Sequence, residues 1–224
     1  MPTPLAEYPP RRSIAFRIPL LLALVALASC SAAYYATLEK FGIEKRDILV
    51  SRVKSAQTAE NDAKEQFSSA LDEYRSVVHV EPSNLERTYD RLNAAYEQSV
   101  SRADDVRKHI DGVQKVANDL FAEWDQELGE YSDPALRRRS QRLLRDTRAK
   151  YGQVMTAMQR AEKSMDPVLA LFHDQVLTLK HDLNAQAIGA LGSELDNIEQ
   201  ATSTLIRDME RAIAEANDFI KAMS

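Results

Sequence analysis

The stretch LERTYDRLNAAYEQSVSRADDVRKHIDGVQKVANDLFAEW, residues 85–124, decides the fold of this chain. Apolar or small residues recur in it at spacings of four and three, and this heptad repeat continues for more than five repeats. Such a stripe lies along one side of a helix and must be buried against another helix. The segment therefore predicts a long helix in a bundle or coiled coil. Its stripe positions are Leu85, Tyr89, Leu92, Tyr96, Ser99, Ala103, Val106, Ile110, Val113, Ala117, Leu120 and Trp124.

The same spacing appears in three other segments, so each predicts a further helix with one apolar stripe. The first stripe is Leu49, Val53, Ala56, then Ala63, Phe67, Ala70, Tyr74 and Val77. The next is Thr147, Tyr151, Val154, Met158, Ala161, Met165, Val168, Phe172, then Leu179. The last is Leu195, Ile198, Thr202, Leu205, Met209, Ala212, Ala216, Phe219 and Met223.

Residues that break helices are scarce, with six glycines in 224 residues and only Pro82, Pro134 and Pro167 after Pro19. We therefore predict an all-α fold, an elongated antiparallel helical bundle or coiled coil of three to four long helices. The helical-bundle domain is expected to cover residues 42–224. Its helices are expected at about 42–78, 84–129, 134–190 with a kink near Pro167, and 194–222.

Two turns separate the first three predicted helices. Between the first and second, Glu81-Pro82-Ser83 predicts a reversal, with Ser83 as N-cap and Glu86 completing a capping box. Between the second and third, residues 129–134 predict a reversal with Asp133 as N-cap and Pro134 at the first helical position.

The last reversal is less sharply defined by the sequence. The heptad phase passes through Asp166-Pro167 without slipping, so we expect a kink there and not a hairpin. Gly189 to Ser193 is the better candidate, because Gly192 can end one helix and Ser193 can cap the next. One unbroken helix from Pro167 to the end remains the alternative.

The N-terminal residues have the pattern of a secretory signal peptide. Three arginines, at 11, 12 and 17, precede an uncharged stretch, residues 18–28, and the run Leu27-Ala28-Ser29-Cys30 follows. This run resembles the lipobox of bacterial lipoproteins, and Cys30 is the only cysteine in the chain. We expect residues 1–29 to be removed and Cys30 to become the acylated N-terminus that anchors the protein to a membrane.

Residues 30–41 are expected to form a membrane-proximal tether. Its aromatic residues Tyr34, Tyr35 and Phe41 fit either the lipid headgroup layer or a frayed helical turn packed on the bundle. The alternative to cleavage is an uncleaved inner-membrane anchor over residues 18–38, which carry no charge. Both readings export the body to the periplasmic side. Ser31 is not the aspartate that resembles an inner-membrane retention signal, so outer-membrane sorting is favoured.

No arrangement of residues in the sequence resembles an active site. Phosphate-binding loops, dinucleotide fingerprints and nucleophile motifs are missing from it. Two helical turns, about 12 Å, separate His173 from His181, which is too far for one metal ion to bind both. We therefore expect no enzymatic activity and no catalytic, cofactor or metal site. The net charge of −5 gives no reason to expect nucleic-acid binding. The histidines are His79, His109, His173 and His181.

An arginine cluster is the conspicuous charge feature, and alone it fits a patch for anionic lipid or polymer. A hairpin centred near residues 132–133, however, places its arginines level with acidic residues of the preceding helix. We therefore prefer cross-helix ion pairs that fix the register of the two helices. The cluster is Arg137, Arg138, Arg139, Arg142, Arg145 and Arg148, and the expected pairs are Arg138 with Glu127, Arg142 with Glu123, and Arg145 with Asp119.

Several strings resemble a family of predicted bacterial lipoproteins catalogued as a domain of unknown function. They are GIEKRDILVSRV (42–53), AKEQF (63–67), LFAEWDQEL (120–128), RAEKSMDPVL (160–169) and FHDQVLTLKHDLNAQAI (172–188). The resemblance covers residues 42–222. It implies an all-helical envelope protein and supplies no catalytic residues.

Two functional hypotheses follow from these patterns. In the first, the protein is a lipid-anchored periplasmic bundle that acts as an envelope scaffold or adaptor through contacts with other envelope proteins. In the second, it is a binding module that holds a hydrophobic or polymeric envelope ligand between its helices, near Phe172, Leu179 and Ile188. A homo-oligomer is compatible with both, since sustained heptads also permit pairing between chains.

Overall fold

The computed structural model describes residues 44–78, 85–181 and 185–223, which form four long helices and no strand. The helices are α1 (Lys45–Val78), α2 (Leu85–Glu127), α3 (Pro134–His181) and α4 (Ala185–Met223). The chain divides into two compact units, and the bundle belongs to the second, Arg46–Ser224. The predicted all-α helical bundle is confirmed.

Helix α1 runs antiparallel to α4. Arg46, near the start of α1, donates a hydrogen bond to the carbonyl of Met223, the last residue of α4. Tyr74, near the end of α1, donates to the carbonyl of Leu191 in the second turn of α4 (2.8 Å). The first and last of the described helices are therefore neighbours over their whole shared length.

The other neighbouring pairs are also antiparallel, which gives an up-down-up-down bundle in the order α1, α2, α3, α4. The backbones of α3 and α4, and those of α2 and α3, approach each other most closely. The polar contacts that join the pairs are the hydrogen bond from Gln66 to the Ala95 carbonyl (3.3 Å), the Arg107–Asp166 salt bridge (2.6 Å), and the contacts of Asp208 with Arg160 (2.9 Å) and Ser164 (2.7 Å).

The core consists of the predicted heptad stripes. In α1 every predicted stripe residue is buried, and in α4 all of them are buried except Leu195, which is half-buried. At the centre, the rings of Tyr74 and Phe172 meet edge to face across the bundle with centroids 6.1 Å apart. One chain therefore suffices to bury the four stripes.

The turn between α2 and α3 has the predicted capping chemistry. The Asp133 carboxylate accepts a hydrogen bond from the backbone N–H of Ala135 (2.7 Å), and the Asp133 carbonyl accepts from Arg137 (3.1 Å). Pro134 is the first residue of α3. The predicted N-cap at Asp133 is confirmed. Ser83, the other predicted cap, lies outside the described residues.

The predicted reversal near Gly189 to Ser193 is wrong. Helix α3 ends at His181 and α4 begins at Ala185, so the glycines at 189 and 192 lie inside α4. Gly192 is an exposed position within α4 on the side next to α1, because a Cβ built on it would lie 3.5 Å from Cγ1 of Val78. The break after His181 also excludes one continuous helix from Pro167 to the end.

Pro167 lies within α3, so the chain does not reverse there. This agrees with the unbroken heptad phase, while the predicted kink stays a prediction. The predicted signal peptide, the tether with its aromatic residues and the uncleaved-anchor alternative all fall outside the described residues. Among the helices of the described ranges, none combines the length and apolar content that a membrane crossing requires.

Replacing Gly192 with alanine is expected to raise the free energy of unfolding by about 0.5–1 kcal/mol, because alanine loses less backbone entropy in a helix. Urea denaturation followed by circular dichroism measures the change. Gly152→Ala, where the added Cβ meets nothing within 4 Å, is the matched control and should show a similar gain. A loss of stability at residue 192 alone would contradict its position within α4.

Candidate functional site

Helices α2 and α3 extend past α1 and α4 at one end of the bundle. The contacts of Asp208 with Arg160 and Ser164 set the α3–α4 register, so Met223 at the end of α4 falls level with about residue 147 of α3. The Gln66 contact sets the α1–α2 register and places Arg46 level with about residue 115 of α2. Residues beyond these levels, about 118–146, form a two-helix hairpin projection roughly 15–20 Å long.

Two exposed leucines lie on the hairpin projection. Leu136 and Leu143 are 50% and 56% exposed. They are one heptad apart, and Leu143 is three heptads before Ser164, which contacts Asp208 of α4. The leucines therefore lie on the strip of α3 that faces α4 further along the helix. They are exposed to solvent because α4 ends before it reaches their level.

The arginines of the projection lie on the outer face of α3, and all are exposed. Among the described residues the salt bridge across this hairpin joins Arg148 to Asp125 (2.5 Å), and Arg148 also donates to the carbonyl of Phe121. Arg148 occupies a flank position beside α2, whereas Arg142 and Arg145 point away from it. The predicted pairs of Arg138, Arg142 and Arg145 with Glu127, Glu123 and Asp119 are therefore wrong.

The α3 arm of the projection is basic, whereas residues 118–133 contain six Asp and Glu and no Lys or Arg. Residues 134–149 contain six arginines and one acidic residue, Asp146, while the whole chain has a net charge of −5. The guanidinium groups that do not face α2 have their charge available to solvent and to an external partner. Arginine presents this charge as a planar fork that matches phosphate and carboxylate oxygens.

Side-chain contacts hold the projection in one conformation. Trp124 on α2, the only tryptophan, donates its indole N–H to the Ser140 hydroxyl of α3 (2.8 Å). The Phe121 ring meets Tyr151 edge to face with centroids 5.3 Å apart, and the Arg148 guanidinium lies 5.2 Å from the Phe121 ring centre. The Trp124–Ser140 contact fixes the two helices to each other beyond the ends of α1 and α4, and the contacts of Phe121 join them at the base of the projection.

A buried carboxyl group in α1 is the feature that sequence reasoning missed. Glu60 is 0% exposed, and neither of its carboxylate oxygens has a hydrogen-bond partner. It occupies the stripe position between Ala56 and Ala63, where the apolar series skips one member. That gap was the available signal in the sequence.

The surroundings of Glu60 favour its neutral form. The hydrogen bond from Gln57 to the Ile213 carbonyl fixes the register of α1 on α4 and places Met209 level with Glu60. Met209 is fully buried. Burial without a partner raises the pKa of Glu60 to about 8, because the charged form is not solvated there.

Shallow polar grooves lie between the helices of the four-helix part. One, of about 350 Å³, is lined by Ser55, Asp62, Arg102 and His109 between α1 and α2. Within the ranges that the structure describes, no group of three or more His, Cys, Asp or Glu side chains is arranged to hold a metal ion.

The structure does not bring the described histidines together. His173 is exposed, and its ring lies beside that of Tyr96 with the centroids 5.3 Å apart. His181 is exposed at the end of α3. His109 lines the groove between α1 and α2. His79 lies outside the described residues.

The other predicted site residues are only partly described. Phe172 and Leu179 are buried in the core, where Tyr74 packs on Phe172, and the side chain of Ile188 lies outside the described part. Cys30 and the preceding Leu27, Ala28 and Ser29 also lie outside it. The proposed anchor and the ligand between the helices stay predictions.

The fold, with its projecting hairpin, places the protein in the class of antiparallel four-helix bundles. The chain belongs to a family described as proteins of unknown function, DUF2959, whose model matches residues 34–223. This confirms the resemblance to a family of unknown function. No curated protein matches the chain.

Replacing Glu60 with glutamine is expected to flatten the pH dependence of stability. The unfolded carboxyl titrates near its ordinary value of 4.5 and the folded one near 8. The free energy of unfolding should therefore fall in the wild type as pH rises between those values, at about 1.4 kcal/mol per unit. Urea denaturation at a series of pH values measures the slope.

The control for this experiment is Glu65→Gln, which alters an exposed carboxyl on the same helix. It should leave the pH dependence of the wild type unchanged. Equal slopes in the wild type and in Glu60→Gln would contradict the assignment of a neutral, buried Glu60.

Proposed function

We propose that the protein is a lipid-anchored bundle on the periplasmic face of the bacterial envelope, where it acts as a spacer or adaptor through contacts with envelope proteins.

 The sequence that supports the anchor is Leu27-Ala28-Ser29-Cys30, with its preceding arginines and apolar stretch. After cleavage, acylated Cys30 would hold the protein on the membrane, with outer-membrane sorting favoured by Ser31.

The observation that carries the spacer role is the position of the first residue of the bundle. Arg46 lies at the end of the bundle from which the hairpin projects, so the chain that precedes it is covalently joined at that end. The 34 residues of α1 then span about 50 Å to the opposite end. A body tethered through Cys30 would thus present its far end well away from the membrane, where other envelope proteins are accessible.

The surface of the bundle is compatible with this role. Outside the buried stripes the helices carry exposed charged residues, and surface salt bridges such as Arg75–Glu199 (2.7 Å) join neighbouring helices. Pairs of this kind contribute little stability but keep the outer faces polar. Leu177, 37% exposed on α3, is an apolar residue toward the far end of the bundle.

Replacing Cys30 with alanine is expected to abolish incorporation of radiolabelled palmitate and to block signal cleavage, because the acylated thiol is lost. Metabolic labelling and the electrophoretic mobility of the mature form measure both effects. Ser31→Ala, which leaves the cysteine in place, is the matched control and should be labelled normally. Normal maturation of Cys30→Ala would refute the lipid anchor, whereas a wild-type chain that is neither labelled nor shortened would favour the uncleaved inner-membrane segment.

Chemical crosslinking in intact cells tests the adaptor role. We expect the wild-type full chain to give a discrete adduct with an envelope protein, because a spacer acts only through such contacts. The Cys30→Ala variant, which keeps its signal peptide and so stays at the inner membrane, should lose that adduct. A wild-type chain that stays purely monomeric after crosslinking would count against the adaptor role while leaving the anchor intact.

A further inference from the structure

Glu60 lies in a layer of the core that offers its carboxyl group no hydrogen-bond donor. The register of α1 on α2 places Ala103 at the level of Glu60. The register of α3 on α4 places Ala161 at the level of Met209, which is itself level with Glu60. The three neighbours are fully buried, and none of their side chains can donate a hydrogen bond. Both carboxylate oxygens of Glu60 are accordingly without a partner.

The charged side chains at this level do not stabilise an ionised Glu60. They are Asp62 and Lys64 on α1, Arg102 and Asp105 on α2, Arg160 on α3 and Asp208 on α4. Within the described ranges none of them is a hydrogen-bond partner of Glu60. Those of the neighbouring helices pair with one another, Arg102 with Asp105 (3.7 Å) and Arg160 with Asp208 (2.9 Å). Only water can therefore solvate the carboxylate once Glu60 loses its proton.

Helix α1 is the helix that can admit water to this layer at the smallest cost. The backbones of α3 and α4, and those of α2 and α3, approach each other most closely, so α1 is held less tightly than the other three helices. Like α4, it has a single connection to the rest of the bundle, which runs through residues 79–84. Local opening of a weakly held element costs less free energy than unfolding of the whole molecule.

We propose that Glu60 makes the docking of α1 pH-sensitive: the protonated carboxyl keeps α1 in the bundle, and loss of the proton releases α1 from α2 and α4. In the released helix the carboxylate contacts water, whereas in the docked helix it contacts apolar side chains. The close contacts of α2 with α3 and of α3 with α4 do not involve Glu60. The release is therefore local, and the other three helices stay folded.

The release becomes easier as the pH rises toward 8. The Glu60 carboxyl has a pKa of about 8 in the docked helix and an ordinary value of 4.5 when it is solvated. Between these values the docked form keeps a proton that the released form has lost. The equilibrium constant for opening therefore rises about tenfold per pH unit in this range and levels off above it, where both forms are ionised.

A released α1 presents a surface that the closed bundle hides. Phe67 and Tyr74 are fully buried in the docked helix and belong to its apolar stripe. Together with the uncovered faces of α2 and α4, they would form a contact surface for an apolar partner that is available only after Glu60 loses its proton. For the proposed adaptor this is a control on partner contact, and this consequence alone rests on the proposed function.

Hydrogen–deuterium exchange of the full chain, read by mass spectrometry, tests the release without any partner. After correction for intrinsic exchange, we expect amides of α1 to be at least about tenfold less protected than those in the core of α2 and α3 at each pH. Their protection factor should fall about tenfold per unit between pH 5 and pH 7.5. Glu60→Gln should remove this pH dependence.

Two further variants serve as controls. Glu60→Met, which places an apolar side chain of similar length in the core, should also abolish the pH dependence and covers the case in which Glu60→Gln folds poorly. Val53→Ala shortens a fully buried residue on the same stripe. It should lower the protection of α1 by the same factor at every pH, because it removes packing and no titratable group.

Three results would overturn the proposal. Equal protection of α1 and of the α2–α3 core at each pH would show that the amides exchange by unfolding of the whole bundle. A protection factor of α1 that does not change with pH in the wild type would show that the carboxylate is solvated without release. A pH dependence that persists in both Glu60→Gln and Glu60→Met would assign it to another group.

Discussion

The constraint on which the structure depends is the burial of four heptad stripes within one chain. Each helix gains most of its stability by covering its stripe, and each covers it against two neighbours. The polar links between helices, such as those of Asp208 and Arg107, fix register at the edges of this core. Most of the stability comes from burial of the apolar interior, because exposed ion pairs contribute little.

Because the helices differ in length, the two ends of the bundle differ in structure. Helix α3 has 48 residues and α1 has 34, so the stripes of the longer pair continue past the shorter pair. Where cover stops, Leu136 and Leu143 become exposed. The exposure of these two leucines is therefore a direct outcome of where α1 begins and α4 ends. Glu60 shows the opposite situation, because it is a polar group on a stripe that is fully buried.

Periodicity predicted the helices and their buried faces because the stripe is a property of local sequence. The cap at Asp133 was predictable for the same reason. Gly192 was misread as a helix end, since its contact with Val78 of α1 depends on packing between distant segments. The pairing of Arg142 was misjudged because a hairpin places residues level with each other without showing which face they occupy. In the sequence, Glu60 is visible only as a missing apolar member of the α1 stripe. Its raised pKa could be predicted only once its buried surroundings were known.

The adjacency of α1 and α4 also determines the order in which the molecule can assemble. Contacts within the α2–α3 hairpin, such as Trp124 with Ser140, join residues 16 apart, whereas Arg46 and Met223 are 177 apart. Closing the longer loop costs more chain entropy and becomes possible only after the final helix has emerged. The α2–α3 hairpin can therefore form early, whereas the stripe of α1 is fully covered only when α4 has folded against it. Helix α1 is therefore the helix whose stripe stays partly exposed to water for longest during folding.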